Sequence, residues 1–330
     1  MPNGPHHIVI GIVYNNSRDR ILISRRDVDS HQGRLWEFPG GKVRQGESEW
    51  QALTRELLEE VNISANRGHR LVQITHEYPD VKLLLDVWMI DEWSGQYADN
   101  EGQLAEFVSY QELMSRQFPP ANAKVLRLIH LPFLYLITPD LIRYDEDFLR
   151  MITRMIDSGL ALIQFRSKKS PPNEQYSLVQ RLIEICNNGN CELLFNGTAD
   201  EALKLGTHGV HLTSEKLMQL DSRPLPDNCL VAASCHNETE MMHACNIGLD
   251  FCVLGSVYDS NTEPFKSGMG WEQFQSLIMK STIPVYALGG MNVSDLDIVQ
   301  QHGAHGVAMI KGVWDNNDPL AVVRSLSRQS

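Results

Sequence analysis

The densest chemistry in this sequence lies in residues 36–63, WEFPGGKVRQGESEWQALTRELLEEVNI. Set on a helix with Glu56 as origin, Glu59 falls at about 300° and Glu60 at about 40°. Trp50, Leu53, Leu57, Leu58 and Val61 fill roughly 60° to 200°. One face is therefore a core stripe, and three carboxylates share a separate arc of about 100°. Carboxylates on adjacent turns can hold one or more divalent cations through hard oxygens, leaving one to orient or deprotonate water. The same three residues also describe a solvated acidic face, since like-charge pairs at helical spacing cost only about 0.2–0.5 kcal/mol each. Ser48 with Gln51 three residues later is a capping box, so the helix should begin there. Before it, Pro39-Gly40-Gly41 gives a loop whose backbone can approach a ligand closely, with Glu47 at its end.

The full spacing is Gly41, five residues, Glu47, seven residues, then Arg55-Glu56-Leu57, Glu59-Glu60 and Ile63. It resembles the Nudix box, with Asn62 standing where that pattern has a late Gly. Asn tolerates a left-handed helix end better than other non-Gly residues, so the C-cap is expected to survive. The resemblance implies cleavage of a nucleoside triphosphate, whose phosphoryl charge is neutralised by Mg²⁺, with Mn²⁺ as a possible substitute. It implies that Glu56, Glu59 and Glu60 ligate the metal, helped by the Gly40 carbonyl. Glu47 and Arg55 join the catalytic set, Arg55 orienting glutamates rather than touching substrate. On the same resemblance, Glu56 and Glu101 are the candidates for the general base. The stretches ISRRDVDSHQGRLWEFPGGK, DNEGQ and FPPANAK extend the likeness over nearly all of residues 5–129, to MutT-type 8-oxo-dGTP pyrophosphohydrolases. On that likeness Glu101 is an outlying carboxylate that joins the metal site. Asn122 hydrogen-bonds the purine edge, and Arg26 and Phe38 line the nucleotide pocket. Each also has a plainer reading: Asn122 as a helix cap, Phe38 as core, Arg26 as a surface ion-pair partner. The segment around Val81 and Lys82 departs from the pattern where an Arg is usual. The reaction implied is water attack at the β-phosphorus of an 8-oxo-purine nucleoside triphosphate, releasing the monophosphate and pyrophosphate.

These residues need a scaffold, and 330 residues are too many for one ordinary domain. Two units are expected, 1–130 and 131–330. In the first, strand signals at 8–13, 21–23, 71–75 and 81–90 surround the acidic helix, and a shorter helix is expected over 121–130. From Phe133 onward, eight β-type runs alternate with helical stretches: 133–137, 160–166, 191–195, 209–212, 229–233, 250–254, 283–288 and 305–310. The fold class expected is α/β: an α/β/α sandwich on a mixed sheet, followed by a closed parallel (β/α)₈ barrel. An open doubly wound sheet is the alternative for the second unit. With 29 Lys+Arg against 41 Asp+Glu, the net charge is −12, which disfavours duplex nucleic acid and anionic membrane as partners. No apolar stretch approaches the length of a membrane span, and no secretory signal is seen. The six Cys include no C-x-x-C pair, and a reduced, cytoplasmic chain is the expectation.

The second unit resembles thiamin phosphate synthase and its relative TenI, a thiazole tautomerase. The likeness rests on LYLIT, IQFRSKK, LGTHGVHL, SCH, FCVLGSV, IPVYALGGMN and GAHGVAMI, which fall at or just after strand C-termini, where barrel sites are built. It implies a thiamin-related phosphorylated ligand. Gly289-Gly290 and the backbone at Ile310-Lys311 are the implied phosphate cradle. Gln164, Arg166 and Lys168 occupy alternate positions of one strand end, with Asn196, Ser234 and His236 on neighbouring ones. Three positions depart from the synthase pattern. Gly197 and Lys216 stand where it has Mg²⁺-ligating Asp residues, and Glu263 where it has a pyrophosphate-binding Lys. Efficient thiamin phosphate synthesis is therefore not expected, since the charge that holds the metal is gone. His236 leaves a bifunctional alternative, with tautomerase chemistry in the barrel, and a structural role for it is about as plausible. His208 and His211 are read as structural.

Overall fold

In the computed structural model, helix α1 (Glu49–Val61) starts at a complete capping box. The Ser48 hydroxyl accepts from Gln51 N, and the Gln51 side-chain oxygen accepts from Ser48 N. It ends because Asn62 turns left-handed (φ 55°), donates its N–H to Leu57 O, and bonds Gln96 O through its side chain at 2.8 Å. Asn thus fills the role usually given to Gly. The structure describes residues 6–26, 33–77, 82–98, 104–140, 145–169, 171–258 and 268–327. Glu101, Val81 and Glu263 lie outside the described residues.

The chain divides into two compact units, Met1–His130 and Leu131–Ser330. The first contains strands β1 (His6–Val13), β2 (Arg20–Arg25), β3 (Trp36–Glu37) and β4 (Gly40–Lys42), then α1. After it come β5 (Ser64–Glu77), β6 (Lys82–Ser94), β7 (Ala105–Ser109), and helices α2 (Tyr110–Ser115) and α3 (Ala123–His130). One mixed sheet has the order β4-β1-β6-β5, with β1 parallel to β6 and antiparallel to β4. A three-stranded antiparallel sheet has the order β3-β2-β7. Alternation along β1 builds two cores. Val9 and Val13 pack with Leu53, Leu57 and Val61 of α1, while Ile10 and Ile12 pack with Val125 and Leu128 of α3. The mixed sheet is thereby held between helices, as the sequence pattern implies.

In the second unit, eight parallel strands close into a barrel, which rules out the open sheet. They are β8 (Leu134–Ile137), β9 (Leu162–Phe165), β10 (Glu192–Asn196), β11 (Gly209–Leu212), β12 (Leu230–Cys235), β13 (Phe251–Gly255), β14 (Val285–Leu288) and β15 (Gly306–Met309). Between and after them run α4 (Glu146–Asp157), α5 (Pro172–Asn188), α6 (Ala199–Leu205), α7 (Ser214–Leu217), α8 (Glu238–Asn246), α9 (Gly270–Ile278), α10 (Leu296–Gln301), α11 (Lys311–Trp314) and α12 (Pro319–Ser327). The interior is packed, with Tyr135, Leu162, Leu194, Phe251 and Tyr286 in one buried cluster. All six cysteines are free. Among the described residues, no helix is long and apolar enough to cross a membrane.

Candidate active site

The glutamates of α1 lie against the Gly40-Gly41 strand, where backbone geometry demands glycine at 40 and the Glu56 carboxylate takes the Cβ space at 41. Gly40 sits at φ 153°, and a Cβ on it would run into the Val9 carbonyl. A Cβ on Gly41 would lie 2.5 Å from Glu56 Oε1. Gly40 donates its N–H to Glu60 Oε2 at 3.0 Å, so two of the three expected ligands meet the loop directly. Glu59, 41% exposed, turns instead to arginines, Arg55 at 3.1 Å and Arg44 at 3.3 Å. Arg55 is the organiser. It forms a fork on Glu47 (Nε to Oε1 2.7 Å, Nη2 to Oε2 2.9 Å), and also reaches Glu56 at 2.6 Å and the Lys42 carbonyl at 3.2 Å. Those bonds, with the Arg44 N–H, hold the Glu47 carboxyl down at about 2 and push the Arg55 guanidinium up. The donor set fits a hard divalent cation: only oxygen ligands, beside a backbone with no side chain in the way.

Between β3 and β4, Phe38 is buried and stacks on Phe118, with ring centroids 5.3 Å apart. Arg26 pairs with Glu37 at 2.5 Å. Burial raises that carboxyl to about 7 despite the Arg26 charge and hydrogen bond. Glu37 is a site-region residue that reading the sequence missed. Its only signal was a charge between two aromatics, Trp36 and Phe38, in consecutive positions. Asn122 ends a 3₁₀ turn, Pro120–Asn122, and is 7% exposed. Among the described residues its buried Oδ1 has no hydrogen-bond partner, so it does not act as a helix cap.

In the barrel, a hydrogen-bonded chain crosses the upper interior. Gln164 Nε2 donates to Tyr135 Oη at 3.2 Å; Tyr135 Oη lies 3.1 Å from His211 Nδ1, and His211 Nε2 lies 2.8 Å from Ser234 Oγ. Burial, then the Arg166 charge, drives His211 down to about 3, so the ring is neutral. Burial also pushes the Tyr135 phenol up, so it keeps its proton. With Tyr135 donating to Nδ1, His211 must donate from Nε2 to Ser234, which leaves the serine hydroxyl proton to point onward. Tyr135 and His211 were not among the expected site residues. The signal available was their inward register with Gln164 and Ser234 on neighbouring strands. Asn196 Nδ2 donates to the His211 carbonyl at 3.3 Å, and Lys168 N donates to Asp140 Oδ1 at 2.8 Å. Gly289 (φ 110°) and Gly290 (φ 69°) form a left-handed turn beyond β14, and Ile310 and Lys311 lead from β15 into α11. At the rim, His236 Nδ1 meets Glu240 Oε2 at 3.0 Å. His208 is held by Leu193 N and Asn187 Oδ1, a structural arrangement.

Comparison with known proteins matches both units. Residues 5–129 fit the NUDIX domain family, and residues 134–313 fit the family described as thiamine monophosphate synthase. The 8-oxo-dGTP diphosphatase of Escherichia coli is 39% identical over 119 residues, 36% of this chain and 92% of that protein. The thiamine-phosphate synthase of Thermosynechococcus vestitus is 28% identical over 245 residues, 73% of this chain and 68% of that protein. Among solved structures, thiamine phosphate pyrophosphorylase from Pyrococcus furiosus superposes with a TM-score of 0.50 at 22% identity, covering 59% of this chain and 95% of that one, which shows the barrel fold. The chain therefore joins a Nudix hydrolase to a member of the thiamine monophosphate synthase family.

Proposed function

We propose that the first unit hydrolyses 8-oxo-purine nucleoside triphosphates, 8-oxo-dGTP foremost, to the monophosphate and pyrophosphate, a reaction of nucleotide-pool sanitation. The observation that carries this reading is the orphaned Asn122 Oδ1. A buried acceptor without a donor costs about 1–3 kcal/mol, which a ligand recovers by bringing a hydrogen-bond donor. Guanine presents an acceptor at N7. The 8-oxo form carries a hydrogen there, so it satisfies Asn122 where guanine meets it acceptor to acceptor. Glu56, Glu59, Glu60 and the Gly40 carbonyl would hold Mg²⁺, with Glu101 as an added ligand. Bound there, Mg²⁺ neutralises charge on the phosphoryl oxygens. Arg55 fixes the glutamates, Glu56 or Glu101 takes the proton from water, and Arg26 and Phe38 hold the nucleotide. Glu60→Gln is expected to lower kcat by orders of magnitude with the fold intact; near-wild-type turnover at saturating Mg²⁺ would overturn the metal assignment. Asn122→Ala is expected to reduce the preference for 8-oxo-dGTP over dGTP by roughly 10- to 100-fold.

For the barrel, the reading is a binder of a thiamin-related phosphorylated ligand that has lost synthase activity. Packing is consistent with the loss: a Cβ on Gly197 would lie 2.4 Å from Phe195 Cε1 and 2.7 Å from Glu201 Oε2, so an Asp there would require both side chains to shift. A second reading is a tautomerase. The His236–Glu240 pair favours it, because the carboxylate holds one ring nitrogen and leaves the other for proton transfer. Incubating the chain with the thiazole phosphate tautomer separates these: measurable isomerisation lost in His236→Asn establishes catalysis, and binding without turnover supports a ligand-binding barrel.

A further inference from the structure

A second group of metal-ligating side chains lies outside the box glutamates. His7 on β1, Glu49 at the start of α1 and Asp86 on β6 each direct a ligand atom into one spot, and those atoms all fall within 4.8 Å of one another. Register explains the meeting. Strand β1 runs parallel to β6, with His7 opposite Leu84 and Val9 opposite Asp86, so His7 and Asp86 share the face that packs on α1. Asp86 is fully buried, an acidic residue inside the otherwise apolar run LLLDVWMI. Its Oδ1 is oriented by Arg70 at 3.3 Å and Gln73 at 3.2 Å, and its Oδ2 faces His7 Nε2. Glu49 is half-buried, and among the described residues its carboxylate has no hydrogen-bond or ion-pair partner.

Arg70 already offsets part of the Asp86 charge, and a divalent cation at this spot would also relieve its repulsion with Glu49. An imidazole beside them shifts the preference from Mg²⁺ toward first-row transition metals. We infer that His7 Nε2, Asp86 Oδ2 and Glu49 form a transition-metal site, separate from the hydrolytic centre. A cation at this spot would replace the direct His7–Asp86 contact, with both side chains turned to the metal. Arg70 and Gln73 hold Asp86 from behind, as outer partners hold metal-bound carboxylates. Three protein ligands leave at least one position for water. The site is about two helical turns, roughly 10 Å, from Glu56 along α1. Metal bound there would pin the start of the catalytic helix to β1 and β6.

Titration of the chelator-stripped full-length chain with Co²⁺ and Zn²⁺ tests the site. Wild type should bind one Zn²⁺ equivalent more than either His7→Gln or Glu49→Gln, and only wild type should show the visible absorption of Co²⁺ held at this place. Both variants should keep wild-type Mg²⁺-dependent hydrolysis, which separates loss of this site from failure of the hydrolase reading. Both avoid removing the buried Asp86, so folding is preserved. Equal stoichiometry and identical Co²⁺ spectra in all three proteins would overturn the proposal, leaving His7–Asp86 as a structural pair.

Discussion

At the scale of single residues, the site depends on what is absent as much as on what is charged. Gly41 has no Cβ, and the Glu56 carboxylate occupies that space. Gly41→Ala should therefore displace Glu56 and lower kcat at least tenfold, while circular dichroism and melting temperature stay near wild type; unchanged kcat would show that Glu56 tolerates the shift. Glu37 gives a pH signature. Its carboxyl is raised from 4.5 to about 7 by burial, so the folded state binds more protons than the unfolded chain between those values. Its contribution to stability is present in full below pH 4.5 and is lost as pH rises through 7. At about 1.4 kcal/mol per pH unit, the loss is roughly 3 kcal/mol. Urea unfolding at pH 5 and pH 8 should show that decline in wild type and little of it in Glu37→Gln. Parallel declines would mean that Glu37 does not titrate there. The box glutamates were legible because spacing alone puts them on one arc. Glu37 and Asp86 were not, because their burial comes from tertiary neighbours, and the His7–Asp86 meeting depends on a strand register that separates the two residues by most of the unit.

At the scale of elements, helix α1 carries the candidate metal ligands and its two ends can be tested separately. Ser48→Ala removes the N-cap acceptor and should cost about 1 kcal/mol. At the other end, Asn62→Gly should be neutral within a few tenths of a kcal/mol, because Gly accepts the left-handed turn but gives up the bond to Gln96. Asn62→Ala should cost about 1 kcal/mol, since it loses the bond and keeps the Cβ strain. Chemical denaturation ranks the variants, and equal stability of the Ala and Gly forms would contradict the left-handed assignment. Both caps could be read from sequence because capping is local chemistry. The eight barrel strands were equally legible, since each is a short apolar run between helical segments. The short pairing strands β3 and β4 were not anticipated, having only two and three residues and no periodicity of their own.

At the scale of the whole molecule, the two units divide by pattern rather than by composition, and each brings a different family to the chain. Eight consecutive β–α units made a parallel α/β fold legible, while closure, set by the pairing of β15 with β8, decided between barrel and open sheet. The internal wiring of the barrel was less so. His211 reads as structural in isolation, and its place between Tyr135 and Ser234 emerges only when β8, β11 and β12 curve onto one axis. The departures at Gly197 and Lys216 were visible in sequence; the crowding of Gly197 by Phe195 and Glu201 was not.

The central claim, an oxidised-purine triphosphate hydrolase, is tested most directly by kcat/KM for 8-oxo-dGTP and dGTP on the full-length chain with Mg²⁺, products resolved, for wild type and Asn122→Ala. Strong preference for 8-oxo-dGTP, with pyrophosphate released and the preference collapsing in the variant, is the predicted result. Equal efficiency on both nucleotides, or a preference that survives loss of Asn122, would contradict the account.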